Sequence, residues 1–162
     1  MLVTPAQAFD GWQVEHAVSI PGKASGWDYL AIDEARDHLF IGHRSEGLKV
    51  IDLRTHKLLK VIAQTAAASS NGATLLPEFD LGVSNNQDGS LTPFRLSSLQ
   101  PQPSIKLGTG LDNSHYDPAT QRLVVTMESE NGKATELVVL QAPALTVVGK
   151  ILLPTGKPEH AD

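Results

Sequence analysis

Leu39-Phe40-Ile41-Gly42, Leu81-Gly82-Val83-Ser84 and Leu123-Val124-Val125-Thr126 are three copies of one short run, set 42 residues apart. A period of this length marks a stacked or circular repeat, in which each unit buries its apolar face against the next. The register extends outward from these anchors without a gap. Gly47, Gly89 and Asn131 stand in line downstream, all residue types that tolerate the positive φ of a tight turn, and Asp33 matches Asp117 upstream.

Within each copy, short apolar or alternating runs are separated by polar segments of hairpin length, a pattern that predicts strands. The runs are residues 27–33, 39–43, 48–53 and 58–63 in the first copy; 73–76, 81–85, 90–96 and 104–107 in the second; and 113–117, 123–128, 134–141 and 147–153 in the third. Four-residue turns open at Glu34, Pro77 and Pro118. Pro93, Pro101 and Pro103 make the second copy the most degenerate, since proline cannot donate to a ladder and suits outer positions. No stretch of eleven or more residues keeps an apolar 3.6-residue period free of Gly or Pro, so helices are not expected.

A four-stranded antiparallel unit of about 40–45 residues, repeated radially, is the blade of a β-propeller. The expected fold is therefore all-β: a partial β-propeller with blades at about 21–63, 64–107 and 108–153, an outer strand over 13–20 before them, and a fourth blade beginning near 154. A solenoid and an open β-sandwich are the alternatives.

Composition narrows the function classes. At 162 residues the chain is long enough for a sizeable core, and 41% apolar with 19% charged residues describes a globular protein. A net charge of −5 without a basic stripe argues against nucleic acid and anionic membrane surfaces as partners. No apolar run approaches the roughly 20 residues that span a bilayer, so membrane insertion is not expected. The absence of cysteine removes disulfides, thiolate metal sites and cysteine nucleophiles together. Ala6-Gln7-Ala8 has the small-x-small form of a signal-peptidase site, so residues 1–12 read as a leader-like remnant of a periplasmic or secreted protein.

The chain resembles the YVTN-type, YncE-like propeller proteins of bacteria. The residues that carry the resemblance are Trp27-Asp28-Tyr29-Leu30-Ala31-Ile32-Asp33 opening a blade, Val50-Ile51-Asp52-Leu53 with Thr55 and Lys57, and Tyr116-Asp117-Pro118-Ala119-Thr120 before Arg122-Leu123. WD40 repeats share the period, but their Trp-Asp pair closes the third strand, whereas Trp27-Asp28 opens the first. The second copy departs from the family pattern, with Leu91-Thr92-Pro93-Phe94 in place of a valine-rich third strand and Asn71-Gly72 where relatives often have His-Gly. The resemblance implies a seven-bladed ring of about 300 residues at this period. Against that length the chain reads as a truncated or fragmentary product, with self-association into a composite ring as the functional alternative.

In a propeller, the segments opening each innermost strand and the turns between second and third strands gather around the central channel. This nominates Asp28, Asn71, Asp112 and Glu159 from the opening segments, and Arg44, Asn86 and Glu128 from the turns. Such residues also cap turns and satisfy backbone N–H groups as a matter of course. The functional reading of the set is a polar mouth for a small polar ligand, a cation or a protein partner, and turn capping is the plainer account. The first functional reading is a non-enzymatic binding or interaction module without a cofactor. The second is a lactonase-like, gluconolactonase-type hydrolase, in which a divalent cation held by Asp, Asn and Glu oxygens polarises an ester carbonyl. The six histidines show no metal-site spacing, there is no Gly-x-Ser-x-Gly elbow, and Gly108-Thr109-Gly110 lacks the ending of a phosphate loop.

Overall fold

The computed structural model describes residues 11, 14–15, 17–62, 69–129 and 133–154. They form three four-stranded sheets. β1 (Trp27–Asp33), β2 (His38–His43), β3 (Gly47–Asp52) and β4 (Lys57–Ile62) build blade 1; β5 (Ser70–Leu76), β6 (Leu81–Asn86), β7 (Ser90–Arg95) and β8 (Ile105–Lys106) build blade 2; β9 (Thr109–Asp117), β10 (Arg122–Glu128), β11 (Thr135–Gln141) and β12 (Thr146–Leu153) build blade 3. Strands pair antiparallel with their neighbours in sequence. β1 packs on β5 and β5 on β9, so these are the innermost strands of an open arc of blades. No helix among the described residues is long and apolar enough to cross a membrane.

The turns between first and second strands explain why each blade folds back where it does. Each has four residues and ends on a left-handed side chain, Asp37 (φ 54°), Asp80 (φ 51°) or Gln121 (φ 54°). The aspartates before two of these turns hold them in place. Asp33 binds Arg36 at 2.9 Å, and Asp117 accepts the Ala119 N–H at 3.0 Å and the Thr120 hydroxyl at 2.5 Å.

The even 42-residue spacing does not survive in the ladders. Leu39 pairs with Ile51, Gly82 with Phe94 and Leu123 with Leu140, so the structural equivalent of Leu39 in blade 2 is Gly82, and the spacings are 43 and then 41. A slip of one residue exchanges the two faces of a strand. Leu81, aligned with Leu39 by sequence, thus faces blade 3, whereas its neighbour Gly82 faces blade 1. The missing side chain at Gly82 is replaced by the ring of Phe94, since a Cβ there would lie 2.3 Å from Phe94 Cζ. Blades 1 and 3 fill the same space with two aliphatic side chains, and blade 2 fills it with none and an aromatic one.

The core lies between blades. Phe40, Leu48, Val50 and Ile62 of blade 1 pack on Phe94, Leu96 and Leu99 of blade 2, with the Phe40 and Phe94 rings 5.4 Å apart. Leu76, Leu81, Val83 and Leu91 of blade 2 pack on Leu111, Leu123, Val125, Met127, Val138 and Leu140 of blade 3. At about 25 cal/mol per Å² of apolar surface, these faces are what hold the blades together.

The sequence reading needs two further corrections. Among the described residues of the expected outer strand over 13–20, none lies in a strand. Just beyond it the chain crosses the outward face of blade 1. Pro21 O accepts from the buried Lys49 ammonium, which also binds Glu46 at 2.8 Å and lies 5.1 Å from the Trp27 ring centre. β8 has only two residues, because Pro93 cannot donate and Pro101 and Pro103 interrupt the strand beyond it. The expected start of a fourth blade lies outside the described residues.

Candidate ligand site at the inner strand ends

Each innermost strand carries a β-bulge close to its start. In β1, Asp28 and Tyr29 lie between the Trp27–His43 and Leu30–Ile41 pairs; in β5, Asn71 lies between Ser70–Asn86 and Gly72–Asn85; in β9, Asp112 lies between Leu111–Met127 and Asn113–Thr126. A bulge leaves a residue out of the ladder and re-aims its side chain, a device common beside binding sites. Asp28, Asn71 and Asp112 follow the 43 and 41 spacing of the structural register.

Residues at the ends of the second strands or just past them complete the site, and here the register decides their identity. Arg44 N donates to Gly26 O at 2.7 Å and Gln87 N to Ser69 O at 2.9 Å, so Gln87 is the counterpart of Arg44, and Glu128 follows 41 residues later. Arg44, Asn71, Gln87, Gly110, Leu111, Asp112 and Glu128 line a cavity of about 180 Å³. Of the residues nominated from sequence, Arg44, Asn71, Asp112 and Glu128 are brought together, and Asp28 joins them through Arg44. Glu159 lies outside the described residues.

Asn86 is a correction. It is buried between blades 1 and 2, where its amide donates to Ser90 Oγ at 3.1 Å and Thr92 Oγ1 at 2.8 Å. Sequence alignment placed it at the mouth because Gly47 and Gly89 were matched, yet Gly89 closes the turn in blade 2 whereas Gly47 follows the turn in blade 1. The four-residue turns beginning at Glu34, Pro77 and Pro118 already carry the 43 and 41 spacing and would have found Gln87.

Arg44 Nε donates to Asp28 Oδ2 at 2.6 Å, and this bond, with the nearby Asp112 charge, pushes the guanidinium pKa up. Asn71 is fixed by its amide nitrogen, which donates to Leu111 O at 2.8 Å and Asp112 O at 3.2 Å. Its Oδ1 is buried and accepts no hydrogen bond. Gly110 sits at φ 58°, where a Cβ would lie 2.8 Å from Glu128 Oε2, so glycine lets that carboxylate fold over the inner strand.

The donor set bears on the lactonase reading. Among the described residues no three His, Cys, Asp or Glu side chains are grouped to hold a metal ion, and the Asp28 carboxylate is engaged by Arg44. The site therefore gives the divalent-cation mechanism no support. His115 is exposed on β9, away from the mouth.

No family model and no curated protein matches the chain. Solved structures do. Hydrazine synthase of Kuenenia stuttgartiensis is similar over 87% of this chain and 41% of its own, at 18% identity and a TM-score of 0.65. The structure of U3-55K and that of the RRP9 WD40 repeats are each similar over 81% of this chain and 40% of their own, at 11% identity and a TM-score of 0.66. Likeness at these identities establishes the fold, a β-propeller architecture present here as three blades. The chain spans about two fifths of the length of each.

Proposed function

We propose that this chain is a non-enzymatic binding module of an exported, YncE-like β-propeller, and that its inner strand ends hold a small polar ligand. The observation that carries the reading is the convergence of equivalent positions from three blades. Bulged Asp28, Asn71 and Asp112 meet Arg44, Gln87 and Glu128 beside one cavity. Its volume of about 180 Å³ falls below the roughly 300 Å³ at which drug-sized pockets begin, so the ligand has few heavy atoms. Asp28, one of the carboxylates beside the cavity, is engaged by Arg44 at 2.6 Å rather than presented to a substrate. Export is supported by Ala6-Gln7-Ala8, outside the described residues.

The test is a ¹H–¹⁵N NMR titration with glycerol, acetate and ethanolammonium, reading the amides of Gln87, Gly110 and Leu111. Saturable shifts confined to this region by any one of the three are expected. No shift from any of them, in a chain with a dispersed spectrum, overturns the reading, and turnover of a sugar lactone overturns its non-enzymatic part.

The outward faces of the arc favour a second copy of the chain as a partner. Leu30 and Ile32 of blade 1 are 65% and 52% exposed, and Ile151 of blade 3 is 51% exposed. The contact that such faces would make is already made twice inside the chain, between blades 1 and 2 and between blades 2 and 3. Light scattering after size exclusion is expected to give a mass above that of the monomer. A stable monomer that unfolds cooperatively overturns the self-association reading.

A further inference from the structure

The geometry points to a second copy of this chain as the partner of the free edge of β12, paired antiparallel across a twofold axis at Ile151. This contact is separate from the ligand mouth and from the outward faces of the arc. The last strand of each blade is an edge, and an edge that is not blunted invites another chain to pair with it. Blade 1 carries Lys57 and Lys60 in the six residues of its last strand, and blade 2 has only the two residues of β8 after Pro101 and Pro103. Blade 3 has neither device. β12 is eight residues long, has no strand on its free side among the described residues, and bears one charge, Lys150, which is already bound to Glu136 at 3.1 Å. Val147, Val148, Ile151, Leu152 and Leu153 are exposed along it.

Two stops in the strand define what can pair. Val148 is bulged, since Leu140 pairs with Val147 and Val139 with Gly149, and Pro154 lacks the N–H that a ladder needs. Between them Gly149 to Leu153 form a regular segment with Ile151 at its centre. An isologous contact between antiparallel strands sets one residue opposite its own copy. With Ile151 in that place, Gly149 lies opposite the second copy's Leu153 and Lys150 opposite its Leu152. The glycine leaves room for the leucine, and the Lys150 stem lies along an aliphatic side chain. Centring the pair on Lys150 instead would set two ammonium groups against each other, and like charges directly opposite are destabilising. Ile151 pairs with Leu137 and Gly149 with Val139, so the joined sheets carry one apolar surface across the axis. A strand from another protein could take the same backbone bonds, but the segment from Gly149 to Leu153 is complementary to itself at every position.

The full 162-residue chain contains no cysteine, so single cysteines report the register. Opposite residues of an antiparallel pair have Cα atoms about 4.5–5.5 Å apart, within reach of a disulfide, whereas Gly149 and its copy would stand about 13 Å apart at roughly 3.3 Å per residue. The protein is used concentrated, because so short a pairing buries less than about 1,000 Å² and is weak. Under mild oxidation Ile151→Cys is expected to cross-link to itself at least about tenfold faster than Gly149→Cys does alone. A mixture of Gly149→Cys and Leu153→Cys should cross-link at a rate comparable with Ile151→Cys. A Cβ at Gly149 meets only Val139 Cβ, at 3.9 Å, so cysteine fits there. Equal rates for Ile151→Cys and for Gly149→Cys alone overturn the inference. In light scattering, Ile151→Lys should return the mass to that of the monomer, and Leu30→Lys, on the outward face of blade 1, should leave a dimer. A monomer in Leu30→Lys overturns the edge contact and leaves the outward faces as the interface. An unaltered chain that stays monomeric when concentrated overturns both.

Discussion

Where blade 2 meets blade 3, an aliphatic cluster is flanked by hydrogen bonds that cross between the blades, Ser114 Oγ donating to Asn85 Oδ1 at 2.8 Å and Asn71 to Leu111 O at 2.8 Å. Where blade 1 meets blade 2, by contrast, the contact is divided between an apolar cluster and polar groups that bond within blade 2. Phe40, Leu48 and Val50 against Phe94 and Leu96 form one part. The other is a chain of hydrogen bonds on the blade 2 face: Ser70 Oγ lies 2.8 Å from Ser84 Oγ, Ser84 donates to Asn86 at 3.0 Å, Asn86 donates to Ser90 and Thr92, and Thr92 Oγ1 lies 2.8 Å from Ser104 Oγ. The difference teaches how each interface tolerates change. An aliphatic face accepts any shape of similar volume, whereas a buried hydroxyl chain accepts only groups that keep every donor matched. The Ser114–Asn85 and Asn71–Leu111 bonds cross between blades and so match blade 2 to blade 3, whereas the chain from Ser70 to Ser104 constrains blade 2 itself.

The sharpest way to break the comparison is at the aromatic filler. Phe94→Ala should cost about 3–5 kcal/mol of unfolding free energy in urea melts, because the ring occupies both its own space and that of the absent Gly82 side chain. Gly82→Leu alone should cost about 1–3 kcal/mol by collision with that ring. The pair Gly82→Leu with Phe94→Leu should recover most of the loss, since blades 1 and 3 carry Leu39 with Ile51 and Leu123 with Leu140 at these positions. A double variant no more stable than Gly82→Leu would contradict the structural register.

A smaller effect separates the buried hydroxyl chain of blade 2 from the aliphatic part of its contact with blade 3. Asn86→Leu should cost about 1–3 kcal/mol, as Ser84, Ser90 and Thr92 lose a common partner in a buried place. Leu123→Met in the aliphatic cluster between blades 2 and 3 should stay under about 1.5 kcal/mol in the same melts. Equal losses would remove the distinction.

The smallest effect is a pH dependence set largely at the turns. The Ser97 hydroxyl holds the Asp80 carboxyl below its usual range, the Thr120 hydroxyl does so for Asp117, and the Thr55 N–H does so for Asp52. With folded pKa values depressed, the unfolded chain binds more protons, so this stabilisation is present above the unfolded value near pH 4 and is lost as pH falls below it. Melting temperature should decline in that window, and Asp80→Asn should flatten the decline. On the alkaline side, burial and the bond to Glu78 push the Tyr116 hydroxyl up to about 12, so its ionisation in an absorbance titration should lag well behind that of a free phenol. The raised value makes this contribution one that is present below pH 10 and lost as pH rises through 12.

Much of the fold was legible because strands and turns write themselves locally. Alternation and four-residue turns place all three blades, and Asp28, Asn71, Asp112, Arg44 and Glu128 follow from the geometry of a propeller. The face of each strand was not legible from the anchors alone. Leu81 resembles Leu39 as a residue, but only the pairing of Leu81 with Leu76 and of Gly82 with Phe94 reveals which side each takes. Gln87 was missed for that reason. The bulges are likewise a property of two strands together, and no single segment announces them. The described residues of the 13–20 run illustrate the opposite limit, since a strand-like run becomes a strand only when something pairs with it.

The exchange of Gly82 and Phe94 also constrains the order in which this blade's sequence can have changed. From an aliphatic pair like those in its neighbours, bringing in the aromatic ring first forces it into an occupied site, whereas losing the aliphatic side chain first opens a void that the ring can then fill. One path runs through a loosened intermediate and the other through a strained one. Once both changes are in place, reverting either alone is penalised, so the two positions are energetically coupled. A lineage that passed this point would keep its glycine at position 82 for as long as it keeps the ring that covers it.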